Sequence, residues 1–381
     1  MIRIRQSERG VALLMALSAI VLIGVVVAGI LFAVTQDYRV SDNNLRQARA
    51  TAAAELGLGR IRTEWNLADN NRVTGDTIVR SYTAPGGATC GVIVTRLPGP
   101  YFWVVSEGRS GDATSRNSAR RRFGMLMRLD TPDIPFIGAL TGRGNILVGG
   151  SATVNGKDAA PTGWPNCVKQ ADIPGIAMSD TTAGLKLPGC SVGKSCVDGN
   201  PKFLQTLAAA DTATYFVYGN STYQDLAATA GVVVPGGQTL NGMGPSVVAG
   251  ACATSVLTNW GDPNRAIIPG ACESYMPIIH ALGDLHISGG SGQGILLVDG
   301  DLELTGGFTF VGVIIVRGTL RSTGTGAHVT GGVMAANVDL DADNTVLGNS
   351  SIQYSSCAIS AVMSGSAYPK QAKQRGWVDL Y

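Results

Sequence analysis

The chain has 381 residues, of which 45% are hydrophobic and 15% are charged, and its net charge at neutral pH is +2. This length allows two domains beside a membrane segment, because single domains commonly comprise about 100–200 residues. With so small a net charge no broad basic surface is expected, which excludes a role in binding nucleic acid. Glycine is in excess: the chain has 51 glycines, whereas the average content of about 7% would give about 27. These glycines follow no collagen-like period.

The most apolar part of the chain, residues 11–34, contains no charged side chain and follows a short basic segment, MIRIRQSERG. As an α-helix with a rise of about 1.5 Å per residue, it would reach about 36 Å and cross a hydrocarbon core of about 30 Å. Arg3, Arg5 and Arg9 precede it, so the positive-inside rule predicts a cytoplasmic N-terminus and an extracytoplasmic remainder. We therefore expect a single-pass inner-membrane protein. A signal peptide is disfavoured because its apolar region would be about 7–15 residues long.

The residues around Gly10, ERGVALLMAL from Glu8 to Leu17, resemble the processing site of type IV pilin precursors. The resemblance implies that prepilin peptidase cuts after Gly10, so that residues 1–10 are a leader peptide and Val11 becomes the methylated mature N-terminus. Most major pilins carry glutamate at the fifth mature position, whereas this chain has Met15 there. An RGVALL-like start without that carboxylate is common in PilX-like minor pilins and in GspK-like minor pseudopilins of type II secretion.

A second match is QARATAAAELGL, residues 47–58, which resembles the helix that follows the membrane segment in PilX-like proteins. The resemblance implies other pilins or pseudopilins as partners, and a place in a pilus or at the cell surface after assembly. A buried carboxylate is costly unless it meets a cation, which in pilins is thought to be a neighbouring N-terminal amine. Met15 lacks this contact, so we expect a subunit that initiates or caps a filament. Gly24 and Gly29 would allow close packing between membrane helices. A plain uncleaved anchor is the alternative.

Beyond the membrane segment, apolar residues at helical spacing predict an amphipathic helix that continues to about Trp65. Four β-forming segments, separated by turns rich in proline and glycine, follow at residues 77–82, 91–97, 101–107 and 122–129. We expect them to form a small antiparallel sheet on the helix, so that residues 35–130 make a pilin-like unit. The next residues, Thr131-Pro132-Asp133-Ile134-Pro135, predict a linker, because proline disfavours helix and lacks a backbone donor.

A second domain, residues 131–381, is predicted from an internal repeat. Similar units begin at Gly294, Gly312 and Gly332, 18 and 20 residues apart. Each unit has an apolar strand, a glycine or asparagine turn and an alternating strand, as one coil of a β-solenoid requires. Residues 144–156 resemble a further coil. The predicted class is therefore α+β, a long helix with a small sheet followed by a mainly β domain, with a β-sandwich as the alternative to the solenoid.

The repeat pattern fades between about residues 157 and 279, which predicts a cysteine-containing insertion that could supply a binding surface. All seven cysteines lie on the side expected to be extracytoplasmic, where disulfides persist. The simplest pairs are Cys190 with Cys196 and Cys252 with Cys272, although spacing alone does not fix the connectivity. A zinc site is the weaker alternative, since no C-x-x-C motif is present. We expect no metal and no cofactor.

Two acidic runs are the best candidates for catalysis: Asp299, Asp301 and Glu303, and then Asp339, Asp341 and Asp343. Paired carboxylates could hydrolyse glycosides or bind calcium, which makes a membrane-anchored β-helix enzyme acting on carbohydrates the alternative function. Strand alternation explains them as a solvated face, and no arginine or histidine cluster stands near them in the sequence. We favour a minor pilin-like subunit that is not an enzyme and displays a solenoid for adhesion or substrate contact, with a surface or polysaccharide as its ligand.

Overall fold

The computed structural model describes residues 9–66, 69–70, 72–111, 118–164, 167–182, 184–190, 196–219, 221–265, 270–338, 340, 342–372 and 377–380. Arg3, Arg5, Asp339 and Asp341 therefore lie outside the described residues, and for Gly10 and Val11 only the backbone is described. The described helices are α1 (Arg9–Thr63), α2 (Ala213–Phe216), α3 (Tyr223–Ala228) and α4 (Ser356–Gly365).

The strands, in chain order, are β1 (Thr77–Thr83), β2 (Thr89–Arg96), β3 (Tyr101–Ser110), β4 (Ala119–Asp130), β5 (Leu140–Gly142), β6 (Ile146–Val148), β7 (Thr153–Asn155), β8 (Ile176–Met178), β9 (Leu185–Lys186), β10 (Val197–Asp198), β11 (Phe203–Gln205), β12 (Val217–Tyr218), β13 (Ser221–Thr222), β14 (Val232–Val234), β15 (Gln238–Met243), β16 (Val247–Val248), β17 (Ala251–Cys252), β18 (Ile278–Ala281), β19 (Leu285–Val298), β20 (Leu302–Thr305), β21 (Phe308–Val316), β22 (Leu320–Ser322), β23 (Ala327–Ala335), β24 (Asn344–Val346), β25 (Ser351–Tyr354), β26 (Tyr368–Gln371) and β27 (Trp377–Leu380). The helices and strands divide between two compact units.

The first unit comprises residues 1–64, 74–127 and 371–381, and the second comprises residues 65–73 and 128–370. The sequence predicted a second domain that extends to the C-terminus. In the structure, however, the last eleven residues belong to the first unit. Their strand β27 pairs antiparallel with β4, and Trp377 lies opposite Met125. In chain order, the two segments of the second unit thus alternate with the three segments of the first.

The first unit is the expected helix with an antiparallel sheet. Helix α1 ends at Thr63, two residues before the predicted end, and the four predicted strands are present as β1 to β4. Strands β1, β2 and β3 are antiparallel neighbours, with Val79 opposite Ile93 and Ile93 opposite Val105. The alternate residues of β2 and β3 are buried, as strand periodicity requires when one face packs on a helix.

The second unit is built on a curled sheet in which every pairing between the described strands is parallel. This parallel strand direction contradicts the β-sandwich alternative, whose sheets are antiparallel. Successive repeats pair residue for residue, and one interior column consists of apolar side chains: Val232, Ile279, Leu296, Ile314, Val333, Leu140, Ile176 and Phe203. Stacked aliphatic side chains of this kind form the core that the repeat predicted.

One repeat boundary differs from the sequence alignment by a single residue. Gly294 pairs with Gly312, and Gly312 pairs with Gly331 rather than with Gly332. These three glycines have φ values of +116°, +140° and +149°, and a β-carbon on any of them would overlap the backbone of the preceding coil. Only glycine tolerates both conditions, so the column explains why glycine recurs in the repeat.

The order of coils in space differs from their order in the chain. The coil predicted at residues 144–156 is formed by β5, β6 and β7, which pair with β23, β24 and β25 from the far end of the sequence. Strands β8 to β11, within the expected insertion, extend the sheet beyond β5 to β7. Strands β14 and β15, also within it, pair with β18 and β19. Residues 157–279 therefore contribute coils as well as loops.

Candidate assembly helix and binding surfaces

The N-terminal part of α1 is an exposed apolar segment, the feature of the structure that points most directly to a function. Its residues 13–34 are all exposed, although nearly all of them are apolar; Met15 is 66% exposed. Within the described part of the chain, α1 is the one helix long and apolar enough to cross a membrane, judged by length and composition. An apolar helix whose side chains are exposed needs lipid or other helices around it.

Gly24 and Gly29, the predicted contact points between helices, lie in this exposed segment. A β-carbon placed on either would meet no atom of the described residues within 4 Å, so the space beside them is open. The chain's own packing therefore does not explain these two glycines. Close approach of another helix there stays a prediction.

The C-terminal part of α1 is fixed to the sheet by close backbone contact. Ala50, Ala53 and Ala54 are fully buried. A β-carbon on Gly57 would overlap the Ser106 hydroxyl and lie 2.8 Å from the Val92 side chain, and one on Gly108 would overlap the α1 backbone at Ala50. Small residues on both sides thus hold the helix against the sheet, so α1 combines an anchored part and a free part.

A cluster of guanidinium groups surrounds Glu107 on the sheet of the first unit. Arg109 Nε donates to Glu107 Oε1 at 2.7 Å, and Arg122 Nε donates to Oε2 at 3.0 Å. Arg120 Nε lies 3.8 Å from the same Oε2 atom. Burial alone would raise the pKa of Glu107, but the hydrogen bonds from Arg122 and Arg109 outweigh it and hold this pKa below its usual value.

The first acidic run does not form a shared site, because its three carboxylates have different partners. Asp299 accepts hydrogen bonds from the Tyr223 hydroxyl and pairs with His280 Nε2, each at 3.0 Å. Asp301 Oδ1 accepts the backbone N–H of Thr319 at 2.6 Å, one coil away. No hydrogen bond or ion pair to a described residue involves the carboxylate of Glu303.

The expectation that no arginine or histidine cluster accompanies these carboxylates is wrong for Asp299, which has one residue of each type beside it. Besides His280, Arg317 lies 3.6 Å from Asp299 and also lies over the rings of Phe216 and Tyr223. Coil stacking brings these groups together, since residues 299 and 317 occupy equivalent turns of successive coils. Both carboxylate oxygens are engaged, so this cluster ties α3 to the coils.

In the second acidic run only Asp343 is described. Its Oδ2 accepts from Lys186 Nζ at 2.9 Å and its Oδ1 accepts from Asn145 Nδ2 at 2.9 Å. The Lys186 hydrogen bond, followed by that from Asn145, holds the pKa of Asp343 below its usual range. The contact with Asn145 joins neighbouring coils, and the contact with Lys186 reaches one coil further. Among the described residues, no group of three or more histidine, cysteine or acidic side chains is placed to hold a metal ion.

Three disulfides are present in the second unit. Cys190 is bonded to Cys196, and Cys252 is bonded to Cys272. The third bond joins Cys167 to Cys357 on α4, across 190 residues of sequence, and nothing in the spacing pointed to it. Cys90, in the first unit, is free and buried. Burial raises the pKa of its thiol.

A polar cleft of about 560 Å³ opens within the second unit beside α4. One wall is the end of β4 and the following linker, with Arg128, Asp133 and Phe136, and the other is one face of α4, with Ser360 and Ser364. The linker was predicted, but its role as a wall of a cleft was not. The volume of the cleft is in the range of about 300–1,000 Å³ that is typical of small-molecule sites.

Comparisons with known proteins give little more. No family model and no curated protein matches the sequence. Among solved structures, the chain is similar to the competence-associated pilin ComZ from Thermus thermophilus, at 13% identity and a TM-score of 0.23. The match covers 88% of this chain and 97% of that chain. A TM-score this low does not establish a shared fold.

Proposed function

We propose that this chain is a minor pilin-like subunit of a type IV pilus or a type II secretion pseudopilus, rather than an enzyme. The observation that carries the proposal is α1, whose exposed apolar part continues without a break into a part packed on an antiparallel sheet. Such a helix can lie in a bilayer before assembly and among like helices afterwards. The sequence around Gly10 supports the same function, since it resembles a prepilin peptidase site.

Within an assembly, we place the subunit at the start or tip of the filament. Met15 presents a thioether where a filament-forming carboxylate is usual, so it offers no ion pair to an incoming subunit. The second unit, with residues 65–73 and 128–370, is larger than the first, and such bulk opposes dense repetition along a thin filament. In this position the coils would be displayed for adhesion or for contact with a secreted substrate.

The mass of the mature N-terminus tests the processing step. Protein purified from its native membrane should begin at an N-methylated Val11, and the Gly10→Val variant should keep its leader. Wild-type protein that retains Met1 would exclude the pilin pathway and leave a tethered protein with stacked coils.

The position in the filament is tested by immunogold labelling. Wild-type protein should be found at filament ends, and the Met15→Glu variant should also appear along the shaft. Dense labelling of the shaft by the wild-type protein would contradict an initiating or capping role. The conservative variant Met15→Leu should label as the wild type does, because it changes neither charge nor apolar character.

A further inference from the structure

The cleft beside α4 is lined by hydroxyl, charged and aromatic side chains. Ser356, Ser360 and Ser364 are four residues apart, so they share one face of α4 and line the cleft. On the other side of the helix, Ala358 and Val362 are fully buried against the coils. The Ser356 hydroxyl donates to Asp158 Oδ2 at 2.6 Å and the Ser364 hydroxyl donates to the Ser360 carbonyl at 2.9 Å. The helix is thus held by its apolar side, while the exposed Ser360 side chain lines the cleft.

The charged groups of the cleft balance one another. Arg128 and Asp133 line it, and neither forms an ion pair or side-chain hydrogen bond with a described residue. Asp130 also lines it, but Lys370 Nζ lies 2.9 Å from its Oδ2 atom and compensates its charge. A ligand with a large net charge would therefore gain little, whereas a ligand with many donors and acceptors could use both free groups.

An aromatic ring is held in a fixed place at the same cleft. Phe136 is half-buried, and its ring lies so close to the bare backbone of Gly332 that a β-carbon there would overlap it. Ile359 and Met363 add apolar surface beside it. Pyranose rings carry hydroxyls at their rim and C–H groups on their faces, so they match a rigid ring set among hydroxyls and charges.

We infer that this cleft binds a neutral saccharide, with Phe136 against an apolar face of the sugar and with Arg128, Asp133 and Ser360 at its hydroxyls. The inference deepens the display role in the proposed function, on which its biological meaning rests. It names neutral sugar chemistry as the ligand class, and the cleft rather than the outer strands of the coils as the place of contact.

The test uses the full chain in a detergent without a sugar headgroup and saturation-transfer NMR with glucose, galactose, mannose, N-acetylglucosamine and their disaccharides. Glucuronate and glucosamine serve as the charged comparison sugars. At least one of these should bind saturably. Ser360→Trp, which fills the cleft from an exposed helix position, should abolish the binding, and Arg128→Gln should weaken it at least about tenfold. Ser151→Trp, at an exposed turn outside the cleft, should leave it unchanged.

Three results would overturn the inference: no neutral saccharide binds, binding persists in Ser360→Trp, or only glucuronate or glucosamine binds. Folding of each variant is checked by circular dichroism, and Ser360→Ala provides a variant without bulk, whose binding should fall while its unfolding is unchanged. Failure here is separable from failure of the pilin proposal. Saccharide binding by a chain that keeps Met1 would refute only the pilin pathway, and a mature Val11 without binding would refute only the cleft.

Discussion

A β-carbon on Gly312 would overlap the carbonyl oxygen of Gly294, its partner in the neighbouring coil. The same residue has φ of +140° and lies under the Val362 side chain of α4. Two coils and a covering helix therefore meet at a position that has room for hydrogen only. Because backbone cannot move aside as a flexible side chain can, the tolerance to substitution there should be very small.

Gly312→Ala should destabilise the second unit by about 3 kcal/mol or more, since it adds backbone strain to a steric overlap. Gly307 provides a matched control, because its φ is +72° but a β-carbon on it would meet no atom within 4 Å. Gly307→Ala should cost only about 1–2 kcal/mol, the strain alone. Urea unfolding followed by circular dichroism measures both, and equal losses would contradict the overlap.

In the first unit, two glycines on one helix should respond in opposite ways. Gly57→Ala forces α1 away from Val92 and Ser106 and should destabilise by about 1–3 kcal/mol. Gly59 is exposed with open space beside it, so Gly59→Ala should stabilise by about 0.5–1 kcal/mol through helix propensity. Thermal unfolding of the two variants distinguishes these signs. Stabilisation by both substitutions would mean that the helix and sheet do not approach so closely.

The Glu107 cluster predicts a pH-dependent contribution to stability. Its pKa is lower in the folded protein than in the unfolded chain, so the contribution is complete above the unfolded value of about 4.3. It is lost as the pH falls through the lower, folded value. Relative to wild type, Glu107→Gln should therefore be less stable by about 1–3 kcal/mol at about pH 6, and the difference should shrink towards about pH 3.

Urea titrations at a series of pH values measure the Glu107 effect. Glu55→Gln, at an exposed position on α1, serves as the control and should track the wild type throughout. If the stability difference between Glu107→Gln and wild type stays constant down to about pH 3, the arginines do not lower the pKa of Glu107.

The three carboxylates of the first acidic run should differ in their effect on stability. Asp299→Ala leaves His280 and Tyr223 without their partner and should cost about 2–3 kcal/mol. Asp301→Ala removes one acceptor of a backbone N–H and should cost about 1 kcal/mol. Glu303→Ala should stay within about 0.5 kcal/mol of wild type. Similar losses for all three in urea unfolding would refute the distinct roles assigned to them.

Much of the fold follows from local patterns in the sequence. The uninterrupted apolar run predicted the first half of α1, and helical spacing predicted its continuation to within two residues of Thr63. Alternation between proline and glycine turns predicted β1 to β4. The repeat predicted stacked coils, because similar units can bury their apolar strands only against each other.

Other features could not be predicted from the sequence because they depend on residues far apart in the chain. His280, Asp299 and Arg317 are 18 or 19 residues apart, and only the register of the coils makes them neighbours. The bond between Cys167 and Cys357 required α4 to lie beside a loop 190 residues earlier. The cleft beside α4 likewise needs the linker and α4 in one place, and neither segment carries a recognisable motif alone.

The sequence by itself determined the long helix, the four strands that follow it and the repeat, because side-chain periodicity and turn residues act within a few positions. Only the tertiary structure decided that residues 140–155 stack on the last coils, that β27 returns to the first sheet, and that Gly331 rather than Gly332 completes the glycine column. These pairings form between surfaces that come into contact only when the chain folds. Apolar coils of similar shape could pair in several orders, and close backbone packing selects among them.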